Sequence, residues 1–151
     1  SRTFINGWCL YKGSVFEMAL LRVWLLCLLV GVAVGRQVPS EAVEIWNEAM
    51  GPYREQCASE TNVDLDTVAT MFSEASPIDD GDHHCYVHCV FQQVNFISAE
   101  GEFDSETIQN TASFLNEDQV GGCVSSGEEA EELCEKSYRL FECIIDAVAE
   151  D

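Results

Sequence analysis

The sequence predicts an all-α fold of about six helices, cross-linked by three disulfides. Three observations point there. Apolar residues recur at three- and four-residue steps along residues 40–149, the period of helices with one buried face. No segment alternates apolar and polar residues as a half-buried strand would. Six cysteines remain once an amino-terminal leader is set aside, an even number that indicates three bridges in an exported chain.

The leader begins at Met18. Arg22 supplies one positive charge, residues 23–34 form an apolar run, and Ala33 and Gly35 place small residues where a signal peptidase acts. A transmembrane anchor is the alternative, but the run has 12 residues and a span needs about 20. Residues 18–35 are therefore expected to be a secretory signal, with residues 1–17 a non-native leader or translated upstream sequence. Residues 36–151 are the single mature domain, and Cys9 and Cys27 fall outside it. Four bases against 26 acids leave that domain at −22. Such a charge disfavours nucleic acid, which clustered Lys and Arg bind, and adsorption to anionic membranes. No stable membrane insertion is expected.

Ser40 is a good N-cap for a first helix over 41–57, where Val43, Trp46, Met50 and Tyr53 share a face. Gly51 and Pro52 should kink or interrupt it. Asp64 or Asp66 can cap a short second helix bearing Val68, Met71 and Phe72. Ser76, Pro77 and Gly81 mark a turn-rich loop. A third helix is expected over 82–96 with Cys85, Cys89, Val90 and Phe91. Asp104 or Ser105 caps a fourth, with Ile108, Ala112 and Leu115. Gly121, Gly122 and Gly127 punctuate a loop or short helix. The last helix is expected over 128–149, its opening acids at the positive end of the dipole and Leu133, Ser137, Leu140, Phe141, Ile144 and Val148 in one stripe.

The six mature cysteines are Cys57, Cys85, Cys89, Cys123, Cys134 and Cys143. Three residues separate Cys85 from Cys89, and eight separate Cys134 from Cys143. In this spacing the chain resembles the insect odorant-binding proteins, the six-cysteine pheromone and general odorant binders, across the whole mature region. The resemblance implies the pairing Cys57–Cys89, Cys85–Cys134 and Cys123–Cys143, which residues alone leave open among 15 possibilities. It also implies helices around an apolar cavity. The residues are compatible, since Cys85 and Cys89 share one helical face.

By the same resemblance the chain is expected to be a secreted carrier that solubilises small hydrophobic ligands. Met71, Phe72, Phe91, Val94, Ile108, Phe114, Leu115, Tyr138, Phe141 and Ile144 are the ligand-binding candidates, although each is equally suited to a solid core. Tyr53, Tyr86, Tyr138, Ser113 and Asn95 could supply a polar contact. A membrane chemoreceptor is a further expected partner, and the carrier is expected as a monomer or weak homodimer. Ligand release as pH falls is implied as well. His83, His84 and His88, beside Asp79, Asp80 and Asp82, are the candidate sensors.

No cofactor or metal is expected. His84 and His88 stand four residues apart, but a zinc site needs three or four ligands, and no Asp-x-Asp-x-Asp-Gly calcium loop occurs. Nor is an enzyme expected. A secreted phospholipase would need adjacent cysteines and a His-Asp pair, and a hydrolase a Gly-x-Ser-x-Gly turn; neither pattern occurs. A helical signalling protein with a dry core is the competing reading.

Overall fold

The computed structural model describes residues 35–150, so the leader and signal expectations for residues 1–34 lie outside the described residues. Six helices follow in order: α1 (Ser40–Thr61), α2 (Leu65–Thr70), α3 (Gly81–Gln93), α4 (Ser105–Thr111), α5 (Glu117–Glu128) and α6 (Leu133–Val148). Among the described residues there is no strand, only the isolated bridges Gln37–Glu150 and Ile97–Phe103. The all-α expectation holds.

Side-chain caps start four of the helices. Asp64, Asp80, Asp104 and Asn116 each accept the backbone N–H three residues on. Each satisfies a donor that the first turn leaves unpaired, worth about 1 kcal/mol. At α5 the Gln119 side chain also accepts the Asn116 N–H, completing a capping box.

Several boundaries differ from expectation. Ser40 is the first helical residue rather than the cap; Pro39 occupies the cap position and makes no side-chain bond. Pro52 does not interrupt α1, which runs on to Asn62, whose φ of 58° closes it. Trp46 and Met50 before the proline, and Cys57 and Ala58 after it, are all buried, so tertiary packing overrides the lost hydrogen bond. Asn95, at φ 59°, helps end α3 before Phe96. The glycine-rich stretch forms α5, a full 12-residue helix. Accordingly Glu128 closes α5, and α6 begins five residues later at Leu133.

The disulfides are Cys57–Cys89, Cys85–Cys134 and Cys123–Cys143, the family pairing. They join α1 to α3, α3 to α6 and α5 to α6. The same helices bury the strongest apolar faces: Val90 and Phe91 from α3, and Leu140, Phe141, Ile144 and Ile145 from α6, are 4% exposed or less. Two further contacts depend on glycine at Gly127. A Cβ there would lie 2.7 Å from the Phe103 ring and 2.9 Å from the Lys136 carbonyl oxygen. Gly127→Ala is expected to lower stability by about 1–3 kcal/mol through overpacking, as denaturant unfolding would measure, despite alanine's better helix propensity.

Candidate functional site

An apolar cavity lies between α1, α2 with its following turn, α3 and α6. Trp46, Met50 and Arg54 reach it at four-residue steps along α1, one face of the helix. Val68 comes from α2, and Met71 and Phe72 from the turn after it. Tyr86, Val87, Val90 and Phe91 enter from α3, and Phe141 from α6. Phe72 stacks on Trp46 at 4.2 Å with the planes 8° apart, while Phe141 and Phe91 approach Trp46 at 5.7 and 6.0 Å.

These side chains nearly fill the space they enclose. Cavity and mouth together hold about 320 Å³ outside atoms, of which only about 20 Å³ admits the centre of a water-sized sphere. The smaller value decides what fits without rearrangement, and it is on the scale of one water. A larger guest must displace the walls. Met50 and Met71 are unbranched and adaptable, and Phe72 belongs to a turn rather than a helix.

Four of the expected ligand residues, Met71, Phe72, Phe91 and Phe141, lie on this cavity. The other six do not line it. Ile108, Leu115 and Ile144 are packed in the core, and Val94 is partly buried beside it. Phe114 lies 5.9 Å from Phe72 and, with Ser113, borders a surface groove. Tyr138 stacks on His84 at 3.9 Å. Tyr86 is the one polar candidate of the five that reaches the cavity. Sequence reasoning passed over Arg54, whose signal was its place continuing the Trp46–Met50 row.

Arg54 and Tyr86 form the polar part of the wall. Burial pushes the Tyr86 hydroxyl up to about 12, a rise opposed by the nearby Arg54 charge, so at neutral pH it is an O–H donor. Arg54 in turn donates to the Asn47 side-chain oxygen.

The three histidines at the start of α3 differ sharply. His83 Nδ1 sits 2.8 Å from the Asp80 carboxylate on its own helix start. His84 is a bridge: Nε2 lies 3.0 Å from Asp79 in the preceding loop and Nδ1 3.0 Å from Glu135 on α6. His88 pairs through Nδ1 at 2.9 Å with Ser137, a hydroxyl wholly buried on α6.

Burial holds the His88 imidazole below its ordinary value of 6.5. The folded state therefore favours the neutral ring. Its contribution to stability is full above about 6.5 and is lost as pH falls through the lower folded value. Unfolding measured at neutral and mildly acid pH should show this loss, and His88→Asn should reduce it.

No group of three His, Cys, Asp or Glu among the described residues could hold a metal ion. Nor is any described helix long and apolar enough to cross a membrane. Comparisons with curated proteins and with solved structures return no match. A profile of the PBP/GOBP family does match, over residues 40–147, from the first residue of α1 almost to the end of α6. With that match, the six helices and the three bridges in the six-cysteine pattern, the chain belongs to the PBP/GOBP family of insect odorant-binding proteins.

Proposed function

We propose that this protein is an extracellular carrier that takes a small hydrophobic ligand into the cavity between α1, α2, α3 and α6. The observation that carries the reading is that cavity, walled by aromatic and methionine side chains, within a fold of a carrier family. Removing apolar ligand surface from water supplies the driving force, about 25 cal/mol per Å². Ligand entry separates Phe72 from Trp46 and moves the turn that carries Met71. The acidic exterior keeps the filled protein in solution. Residues 18–35 direct secretion in this reading, and an olfactory chemoreceptor is one destination for the cargo.

Acid release belongs to the same proposal. His84 ties the Asp79 loop to α6, and His88 ties α3 to α6 through Ser137. Charging His88 places a cation in the buried contact with Ser137, so the packing of α3 on α6 loosens there at mildly acid pH while the Cys85–Cys134 bridge keeps the two helices joined. His83 pairs only with Asp80 at its own helix start and so ties no two helices together.

The dry-core signalling reading draws support from the small free volume of about 20 Å³. Uptake of the fluorescent apolar probe N-phenyl-1-naphthylamine separates the two. Saturable binding, reversed by long-chain alcohols, aldehydes or esters and weaker in mild acid, supports the carrier. Absence of uptake supports the signalling protein. Affinity unchanged on acidification overturns the release mechanism alone.

A further inference from the structure

Arg54 is the only charged side chain on the cavity wall. Four cations occur among the described residues, and the other three are otherwise engaged. Arg36 pairs with Asp146, and Arg139 with Glu135 and Glu129. Lys136 donates to the Gly101 carbonyl oxygen and lies over the Phe103 ring. Arg54 instead has a neutral partner, the Asn47 amide oxygen two turns earlier on α1. In a domain of 26 acids and four bases, a guanidinium held apart from every described carboxylate and set into an apolar wall is a notable placement.

Its chemistry suits an anion. A guanidinium carries five N–H donors in a planar fork, and Asn47 engages one of its nitrogens. Tyr86, 6% exposed, adds a hydroxyl to the same wall from α3. Everything else around the cavity is apolar: Met50, Met71, Phe72 and their neighbours. One cationic fork and one hydroxyl beside an otherwise apolar lining match a ligand with a charged head and a hydrocarbon body.

We propose that the cavity takes an amphiphile of the long-chain carboxylic acid class, its carboxylate received by the Arg54 guanidinium and the Tyr86 hydroxyl. The assignment rests on the carrier reading and narrows its ligand class. Paired N–H···O bonds from arginine to a carboxylate are among the stronger polar contacts in proteins. The acidic exterior opposes the approach of an anion, but that field is screened over about 8 Å at physiological salt. Close to the wall, the guanidinium dominates.

Competition against N-phenyl-1-naphthylamine, using the full chain at neutral pH, tests the assignment with dodecanoate, methyl dodecanoate and dodecanol. Dodecanoate is expected to compete about tenfold more tightly than its methyl ester. Arg54→Gln should cost dodecanoate about tenfold more affinity than it costs the ester, which removes the acid's advantage, while the helical circular dichroism stays unchanged. Arg54→Lys should retain part of the preference, because charge persists without the fork. Equal competition by acid and ester in the unmodified chain overturns the headgroup assignment and leaves the carrier reading standing. So does an acid preference that survives Arg54→Gln. A chain that takes up no probe at all overturns the carrier reading itself.

Discussion

Replacing Cys85 and Cys134 together by alanine is expected to lower the unfolding free energy by about 4 kcal/mol. The bridge spans 49 residues of sequence and joins α3 to α6, the two helices that supply Phe91 and Phe141 to the cavity. Loop-closure entropy grows with the logarithm of loop length. Cys57–Cys89 spans 32 residues and Cys123–Cys143 spans 20, so their removal should cost progressively less, down to about 3 kcal/mol. Chemical denaturation of the three double variants under non-reducing conditions gives the order. If loss of Cys123–Cys143 proved the most damaging, native packing around α5 rather than loop closure would govern the effect. Weaker probe binding should accompany the Cys85–Cys134 change in particular, because Val90 and Phe91 on α3 are then less firmly held against α6.

The second large effect is expected at Phe72. It is 3% exposed and lies in ring contact with Trp46, Phe114 and Phe141. Phe72→Ala should cost about 3–5 kcal/mol, from lost transfer energy and from the cavity left behind. The same change enlarges the space that a guest must otherwise open, so probe affinity should hold or rise while stability falls. Leu140→Ala is the control. Leu140 is fully buried on α6 and does not line the cavity, so it should lose about 2–5 kcal/mol with no gain in binding. Opposite movement of stability and affinity at Phe72, but not at Leu140, would mark Phe72 as a wall that moves for ligand.

Much of the architecture was legible in local chemistry. Asp64 and Asp104 stood at cap positions ahead of apolar periodicity, and Leu140, Phe141 and Ile144 at helical spacing foretold the buried face of α6. The disulfide pairing came from the family resemblance, since spacing alone could not select it. Where expectation failed, long-range packing outweighed a local signal. Pro52 is a breaker by residue type, yet buried residues on both sides carry α1 through it. Gly121 and Gly122 suggested a loop, but the Asn116–Gln119 capping box and the buried Val120, Cys123 and Val124 hold α5 together.

The cavity was less legible than the fold, for a physical reason. Apolar side chains that line a cavity and those that fill a core obey the same periodicity. Ile108 and Ile144 were indistinguishable from Phe91 and Phe141 until their neighbours in space were known. Arg54 is the opposite case, a charged residue on an apolar row that composition assigns to solvent. Its significance comes from what the described carboxylates leave unpaired.

In the proposed carrier an apolar guest enters beside Trp46. Titration of the chain with N-phenyl-1-naphthylamine, exciting tryptophan and reading probe emission, tests it most directly. Trp46 is the only tryptophan among the described residues and stands on the cavity wall. Sensitised emission should saturate at one probe per chain, and Trp46→Phe should remove most of it while directly excited probe still reports binding. Sensitised emission that never saturates, or that is undiminished in Trp46→Phe, would contradict a ligand site at this cavity.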